Sequence, residues 1–162
     1  MLIKERVFIL RDFFKKFFAI FALMIFSGSV FAATSEEVKQ NIITQAKAMG
    51  VEPAIVLSIA KTESGFRQEA KGSGGHVGVF QLSPTTAKNM GYNVYDLDEN
   101  IKAGITYYKN MYNMFGSMEL AVAAYNSGPV AIKRNNNTVP HHSKRFVHRI
   151  MTDYNYYKGT GL

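Results

Sequence analysis

The sequence contains no cysteine. That excludes a disulfide-stapled scaffold and lipid attachment at a processed N-terminus, which needs a cysteine thiol. It also removes the commonest ligand of structural zinc. The histidines present, His76, His141, His142 and His148, do not fall at metal-ligand spacing and read as surface residues. No metal and no cofactor is expected. Runs of positive charge are scarce as well: nothing longer than Lys133-Arg134 or Lys144-Arg145 occurs in a chain of net charge +7. Such pairs usually mark a solvated face, so nucleic acid is not an expected partner. No segment shows convincing period-two alternation, and at most Val77 to Leu82 makes a short ribbon. No internal repeat is visible. The longest apolar run, Phe17 to Phe26, is far short of the roughly 20 residues a membrane-spanning helix needs.

The 162 residues are 47% hydrophobic and 19% charged, an ordinary composition for one domain held by its own core. The first 32 residues have a different character. Lys4, Arg6, Arg11, Lys15 and Lys16 precede the apolar run, and Ser27-Gly28-Ser29-Val30-Phe31-Ala32 follows it. This three-part pattern predicts a secretory signal peptide over 1–32, cleaved after Ala32, with an uncleaved anchor as the alternative. The expected location is periplasmic or secreted. Residues 33–162 then form the working domain, with a net charge of +4. A mildly basic exported domain suits an acidic polymer such as a cell-wall glycan with acidic peptide stems.

Helical signals dominate that domain. Thr34 with Glu37 forms a capping box for a helix to Met49, its inner stripe being Val38, Ile42, Ala46 and Met49. Pro53 opens a second helix to Ser64 that is apolar nearly all round, and so should be the buried central one. Residues 65–82 read as a glycine-rich loop. Ser83-Pro84 starts a short helix, and Asp98 is placed to cap a long one to Phe115 with Ile101, Ile105, Tyr108, Met111 and Tyr112 inward. Ser117 caps the next helix, Gly128-Pro129 breaks it and begins another to Arg134, and Ser143 to Tyr157 is the last. The expected fold class is all-α.

Glu63 is the candidate for chemistry, although read alone it also suits a helix C-terminal glutamate that turns out to water. It ends an apolar run, and both desolvation and the negative end of a helix dipole favour its neutral form. A carboxylic acid kept protonated near neutral pH is what glycosidic bond cleavage requires. None of the other carboxylates, among them Glu69, Asp96, Asp98, Glu119 and Asp153, sits in a comparable apolar context. The loop segment Gly72-Ser73-Gly74-Gly75 lacks the Lys-Ser/Thr ending and the preceding strand of a phosphate loop.

Glu63-Ser64-Gly65-Phe66, then Gly78-Val79-Phe80-Gln81, then Ala123-Ala124-Tyr125-Asn126-Ser127-Gly128 closely resemble the catalytic domain of the soluble lytic transglycosylase family. There the pattern is Glu-Ser, Gly-Leu-Met-Gln and Ala-Tyr-Asn-Ala-Gly, and Gly78 lies fifteen residues after Glu63 as that pattern requires. Asn100-Ile101, Gly104 and Tyr107-Tyr108 match a further segment, so the resemblance spans roughly residues 38–157. It implies a goose-type, lysozyme-like single domain. It also implies a lytic transglycosylase that cuts between N-acetylmuramic acid and N-acetylglucosamine in peptidoglycan and leaves a 1,6-anhydro sugar.

By the same resemblance Glu63 is the general acid and base, Gln81 contacts the glycan, and the Tyr125 hydroxyl faces the reacting sugar. Ser64, Ser73, Ser83 and Asn126 are the remaining expected substrate contacts. Read from the residues alone, Tyr125 also suits a core position, Asn126 a helix-terminal one, and Ser64 a helix end. The chain departs from the family at Gly72, where serine is frequent, at Ser83, where methionine is, and at His142-Ser143-Lys144, which replaces Glu-Thr-Arg.

The expected partner is the peptidoglycan strand, met by a monomer. A cell-envelope secretion or conjugation apparatus is a second candidate partner. The alternatives to a transglycosylase are a goose-type lysozyme that uses water and a non-catalytic glycan-binding assembly module.

Overall fold

A computed structural model describes residues 32–161, so the expected signal peptide, apart from Ala32, lies outside the described residues. The elements are α1 (Ser35–Ala48), α2 (Pro53–Ser64), α3 (Pro84–Asn89), α4 (Leu97–Phe115), α5 (Met118–Ser127), α6 (Pro129–Arg134) and α7 (Lys144–Gly159). Two 3₁₀ turns, Ser73–Gly75 and His141–Ser143, complete them. The all-α expectation holds, for no strand occurs among the described residues. The possible ribbon over Val77 to Leu82 reduces to isolated antiparallel bridges, Lys71 with Val77 and Val77 with Leu82.

Helix starts follow local chemistry. Thr34 Oγ1 accepts from the Glu37 amide at 3.2 Å while Glu37 Oε2 accepts from the Thr34 amide at 2.8 Å, which satisfies two orphan donors of α1 reciprocally. Pro53 stands in the first turn of α2, where a missing N–H costs nothing. Every residue from Pro53 to Ala60 is buried, so α2 is the central helix. It packs against α7, α1 and α4, while α5 packs on α4, α6 and α7.

Three expectations need correction. The N-cap of α4 is Asp96, whose carboxylate accepts from the Glu99 amide at 2.9 Å, not Asp98. Asp98 lies in the first turn and accepts from Asn41 of α1 at 2.6 Å instead. Tyr112 does not face inward: it is 43% exposed, because the buried stripe of α4 runs through Ile101, Ile105, Tyr108 and Met111. The final helix extends to Gly159, beyond the expected Tyr157, and Lys158 there pairs with Glu52 at 2.7 Å. Lys61 on α2 likewise pairs with Asp153 on α7 at 2.6 Å. Ion pairs this exposed contribute only about 0–1 kcal/mol each, so apolar burial holds the helices together.

Candidate active site

The end of α2 sets the position of Glu63. Gly65 caps the helix in the left-handed region (φ 63°), and Phe66 follows it there (φ 68°), which turns the chain back over the helix end. Ser64 fixes that turn. Its hydroxyl is buried, donates to the Val79 carbonyl at 2.8 Å, and accepts from the Arg67 amide at 3.1 Å. Ser64 is therefore a tie at the helix end, and unlike the other expected contacts it does not line the cleft.

In the segment Val77–Leu82 the amides of Val77, Gly78, Gln81 and Leu82 bond to backbone carbonyls, and side chains supply the partners of the Val79 and Phe80 amides. Asn100, fully buried on α4, accepts from the Phe80 amide at 3.0 Å and donates to the Val77 and Val94 carbonyls. Gln68 accepts from the Val79 amide at 3.3 Å. Tyr125 on α5 donates its hydroxyl to the Phe80 carbonyl at 2.8 Å. A buried peptide group without a partner costs roughly 1–3 kcal/mol, so this network decides where the segment can lie. Gly78 has φ 82°, and a Cβ there would overlap Asn100 and Gln68. Only glycine admits the two amides that hold the loop.

These ties frame a cleft of about 380 Å³ lined by Glu63, Ser73, Gln81, Ser83, Tyr125 and Asn126, with His76, Thr86 and Tyr107 also on its wall. All the expected site residues except Ser64 thus come together, from segments as far apart as α2 and α5. Their engagements differ. The Gln81 amide nitrogen is spent on the Ala70 carbonyl at 3.0 Å and the Gly78 carbonyl at 2.8 Å. Its oxygen lies against Gly72, where any Cβ would collide with it. The glycine found where serine is frequent in the family is therefore coupled to the way Gln81 folds into the loop. Ser83 caps α3, accepting from the Thr86 amide at 3.0 Å. Asn126 accepts from Ser143 at 3.0 Å, and the exposed Ser73 gives its carbonyl to His76 Nδ1 at 2.8 Å.

Among the described residues Glu63 is the sole carboxylate on this wall. Burial alone pushes its pKa up to about 7, with no charged partner contributing. A group so placed is part acid and part base near neutrality. Beside it, the Tyr125 hydroxyl is held well above the ordinary tyrosine range, by burial first and then by the charge of Glu63. The Tyr107 ring meets Tyr125 edge-on with centroids 5.1 Å apart, so its position is fixed too.

Among the described residues the other carboxylates lie elsewhere: Glu36 pairs with Lys39, Glu37 and Asp96 serve helix caps, Glu52 pairs with Lys158, Asp98 accepts from Asn41, Glu99 accepts from the Asn93 amide, and Asp153 pairs with Lys61. Glu69 and Glu119 are exposed and off the cleft wall.

Sequence reasoning missed His76, Thr86 and Tyr107 as wall residues. Tyr107 carried a usable signal, standing one residue before the buried Tyr108 on a helix whose inner face was readable. His76 carried none, since its place depends on the turn of the glycine-rich loop.

Replacing Tyr125 by Phe removes the donor to Phe80 while keeping the ring. The expected result is a stability loss of about 1–2 kcal/mol in denaturant unfolding, from the carbonyl left unpaired, together with a turnover drop of roughly tenfold. Unchanged values of both would return Tyr125 to a pure packing role.

Comparison with known proteins places the site in context. The family model described as the transglycosylase SLT domain matches residues 40–147. A transglycosylase of Enterobacteria phage PRD1 is 32% identical over 79 residues, which cover 48% of this chain and 30% of that protein. Among solved structures, an inactive mutant of lytic transglycosylase Slt from Pseudomonas aeruginosa superposes with a TM-score of 0.65 at 23% identity, over 75% of this chain and 24% of that one. The 70-kDa soluble lytic transglycosylase of Escherichia coli gives 0.64 at 23% identity, over 74% and 24%. A complex of the 70-kDa soluble lytic transglycosylase with bulgecin A gives 0.68 at 19% identity, over 78% and 25%. The fold is thus the lysozyme-like one of these structures. The chain spans less than a third of the length of the proteins it matches.

Proposed function

The chain belongs to the transglycosylase SLT domain family, and from that premise we propose that it is a lytic transglycosylase acting on peptidoglycan. The observation that carries the reading is a half-buried carboxylic acid, Glu63, its pKa pushed up to about 7, on a cleft wall with no second carboxylate among the described residues. Glycosidases that use water or an enzyme nucleophile ordinarily employ a carboxylate pair. A site with one carboxylate favours a nucleophile that the substrate brings.

In the first half of the reaction the Glu63 proton passes to the bridging oxygen as its bond to the anomeric carbon of N-acetylmuramic acid breaks. The N-acetylglucosamine side leaves as an alcohol, and Glu63 becomes a carboxylate. In the second half the 6-hydroxyl of the same muramic acid forms its bond to the anomeric carbon and gives its proton to Glu63. The acid is regenerated, no water is consumed, and the product is a 1,6-anhydro ring. A pKa of about 7 serves both directions of proton transfer. Tyr107, Tyr125 and Gln81 share the cleft wall with the acid.

The proposal includes export, on the strength of the basic leader, the short apolar run and Val30-Phe31-Ala32. N-terminal sequencing of the protein from its own cell should read from Ala33, and an intact Met1 in a membrane fraction would favour an anchor. The activity is tested by incubating the protein with purified cell wall and following loss of turbidity. Clearance is expected, and a folded protein that leaves the wall intact would favour a glycan-binding module.

A further inference from the structure

Several of the cleft's polar groups already have protein partners. The Gln81 amide nitrogen donates to two loop carbonyls, the Tyr125 hydroxyl donates to Phe80, and the Ser83 hydroxyl caps α3. A donor engaged in this way gains little by exchanging its partner for a sugar. His76 is placed differently. It is exposed on the cleft wall, and its Nδ1 lies 2.8 Å from the Ser73 carbonyl. A carbonyl oxygen only accepts, so Nδ1 carries a proton. In the neutral ring that leaves Nε2 as a hydrogen-bond acceptor, and it has no protein partner among the described residues.

The glycine-rich turn is built round this side chain. The Gly72 amide donates to the His76 carbonyl at 2.9 Å, and Lys71 and Val77 form a bridge at the base. Gly74 and Gly75 take left-handed φ of 73° and 77° inside it. A Cβ on Gly74 would stand 3.5 Å from Nδ1, so the ring lies along the turn. Gly72 brings His76 and Gln81 together. A Cβ there would overlap Gln81 Oε1 and stand 3.6 Å from His76 Cβ. The two side chains thus share the space over Gly72, one folded into the loop and the other with its far nitrogen free.

We propose that His76 supplies the glycan hydrogen bond that Gln81, folded into the loop, does not: Nε2 accepts from an uncharged donor of the bound sugar, a hydroxyl or an acetamido N–H. The inference rests on the glycan-cleaving reading above. Among the described residues no Lys or Arg lines the cleft, which suits an uncharged ligand. The Ser73 contact fixes the ring and its tautomer before the sugar arrives, so little ordering remains to be done on binding. The contact is made to the sugar as it binds and persists while the bond breaks. It therefore acts on KM and leaves kcat nearly alone. No proton transfer is assigned to His76.

Two substitutions separate the two ring nitrogens. His76→Asn puts an amide near the Nδ1 position, within reach of the Ser73 carbonyl, and nothing at Nε2. His76→Gln puts an amide near the Nε2 position and leaves Ser73 without its donor. The measurements are kcat and KM on soluble glycan strands, strand affinity with each change added to Glu63→Gln, and thermal unfolding of every variant. His76→Asn is expected to weaken binding and raise KM roughly five- to tenfold, the scale of one neutral hydrogen bond, with kcat within about twofold and the melting temperature kept. His76→Gln should recover most of that affinity and melt lower, because the turn has lost its tie. Any pattern in which Gln binds no better than Asn overturns the inference, and a loss confined to kcat does the same. Asn binding like the parent while Gln binds poorly would leave His76 as a closure of the turn alone. A parent protein that neither binds strands nor cuts cell wall would remove the glycan-cleaving reading and this assignment with it. A parent that cuts cell wall, with KM unchanged in His76→Asn, removes the role of His76 only.

Discussion

Glu63→Gln is expected to lower cell-wall cleavage by at least about 10²-fold, the usual contribution of a general acid. The amide keeps the shape of the side chain and removes the proton that the leaving oxygen needs. The same substitution should stabilise the protein, and the pH dependence of that gain identifies its origin. Burial raises the carboxyl from an ordinary value of 4.5 to about 7 in the folded chain. The folded state therefore holds the proton over a range in which the unfolded state has released it. Below about pH 4.5 both states are protonated and Glu63 costs nothing. Between about 4.5 and 7 the cost grows as pH rises, and above 7 it is complete, at about 3 kcal/mol for a shift of this size. Denaturant unfolding of the two proteins should thus coincide near pH 4 and diverge toward pH 8, with the glutamine variant the more stable. Wild-type activity should fall as pH rises through 7, because the acid form is being lost. A constant stability difference across this range would mean that Glu63 titrates like an exposed carboxylate, and its role as the acid would go with it.

Gly104→Ala is the second substitution with a large expected effect, and here two opposing terms decide the sign. Alanine in a helix interior is intrinsically better than glycine by about 1 kcal/mol. Against that, a Cβ on Gly104 would overlap Cγ, Cδ1 and Cβ of Phe80, whose ring is fully buried against this turn of α4. The ring has no free direction. The Phe80 amide is held by Asn100 on α4, and its carbonyl is held by Tyr125 on α5. Either the helix or the whole Val77–Leu82 segment must shift, and overpacking of a closed core typically costs roughly 1–3 kcal/mol, with rigid cases higher. The overlap should win by about 2 kcal/mol net, seen as a lower denaturant midpoint with an unchanged slope. Activity should fall with stability, since the displaced segment carries Gln81 on the cleft wall. A Gly104→Ala protein as stable as the parent would show that Phe80 has slack, and that the segment is less firmly placed than its hydrogen bonds suggest.

The parts of the fold legible in the sequence were those written in local chemistry. The Thr34–Glu37 box, Pro53 and Pro129 in first helical turns, Ser117 as a cap and Gly65 as a stop each act within a few residues, and each appears where expected. The choice between Asp96 and Asp98 was not local. Both can cap, and the contact of Asp98 with Asn41 on another helix takes it out of the competition.

The site divides along the same line. Glu63 could be singled out because its apolar neighbours are adjacent in sequence. The role of Ser64 could not, because its partner Val79 is fifteen residues away across a loop without regular structure. The commitment of the Tyr125 hydroxyl to Phe80, 45 residues earlier, is equally silent in the sequence. So is the place of His76, which depends on left-handed glycines at Gly74 and Gly75. Motif spacing located the residues of the cleft; the division between those that face it and those that hold it together required the tertiary contacts.

The most direct measurement of the central claim is the mass of the products released from purified peptidoglycan. Attack by the muramic acid's own 6-hydroxyl consumes no water, so each fragment should end in 1,6-anhydro-muramic acid and be lighter by one water than its hydrolytic counterpart. Fragments ending in reducing muramic acid as the main product would contradict the account and make the protein a hydrolase in which water takes the place of the 6-hydroxyl.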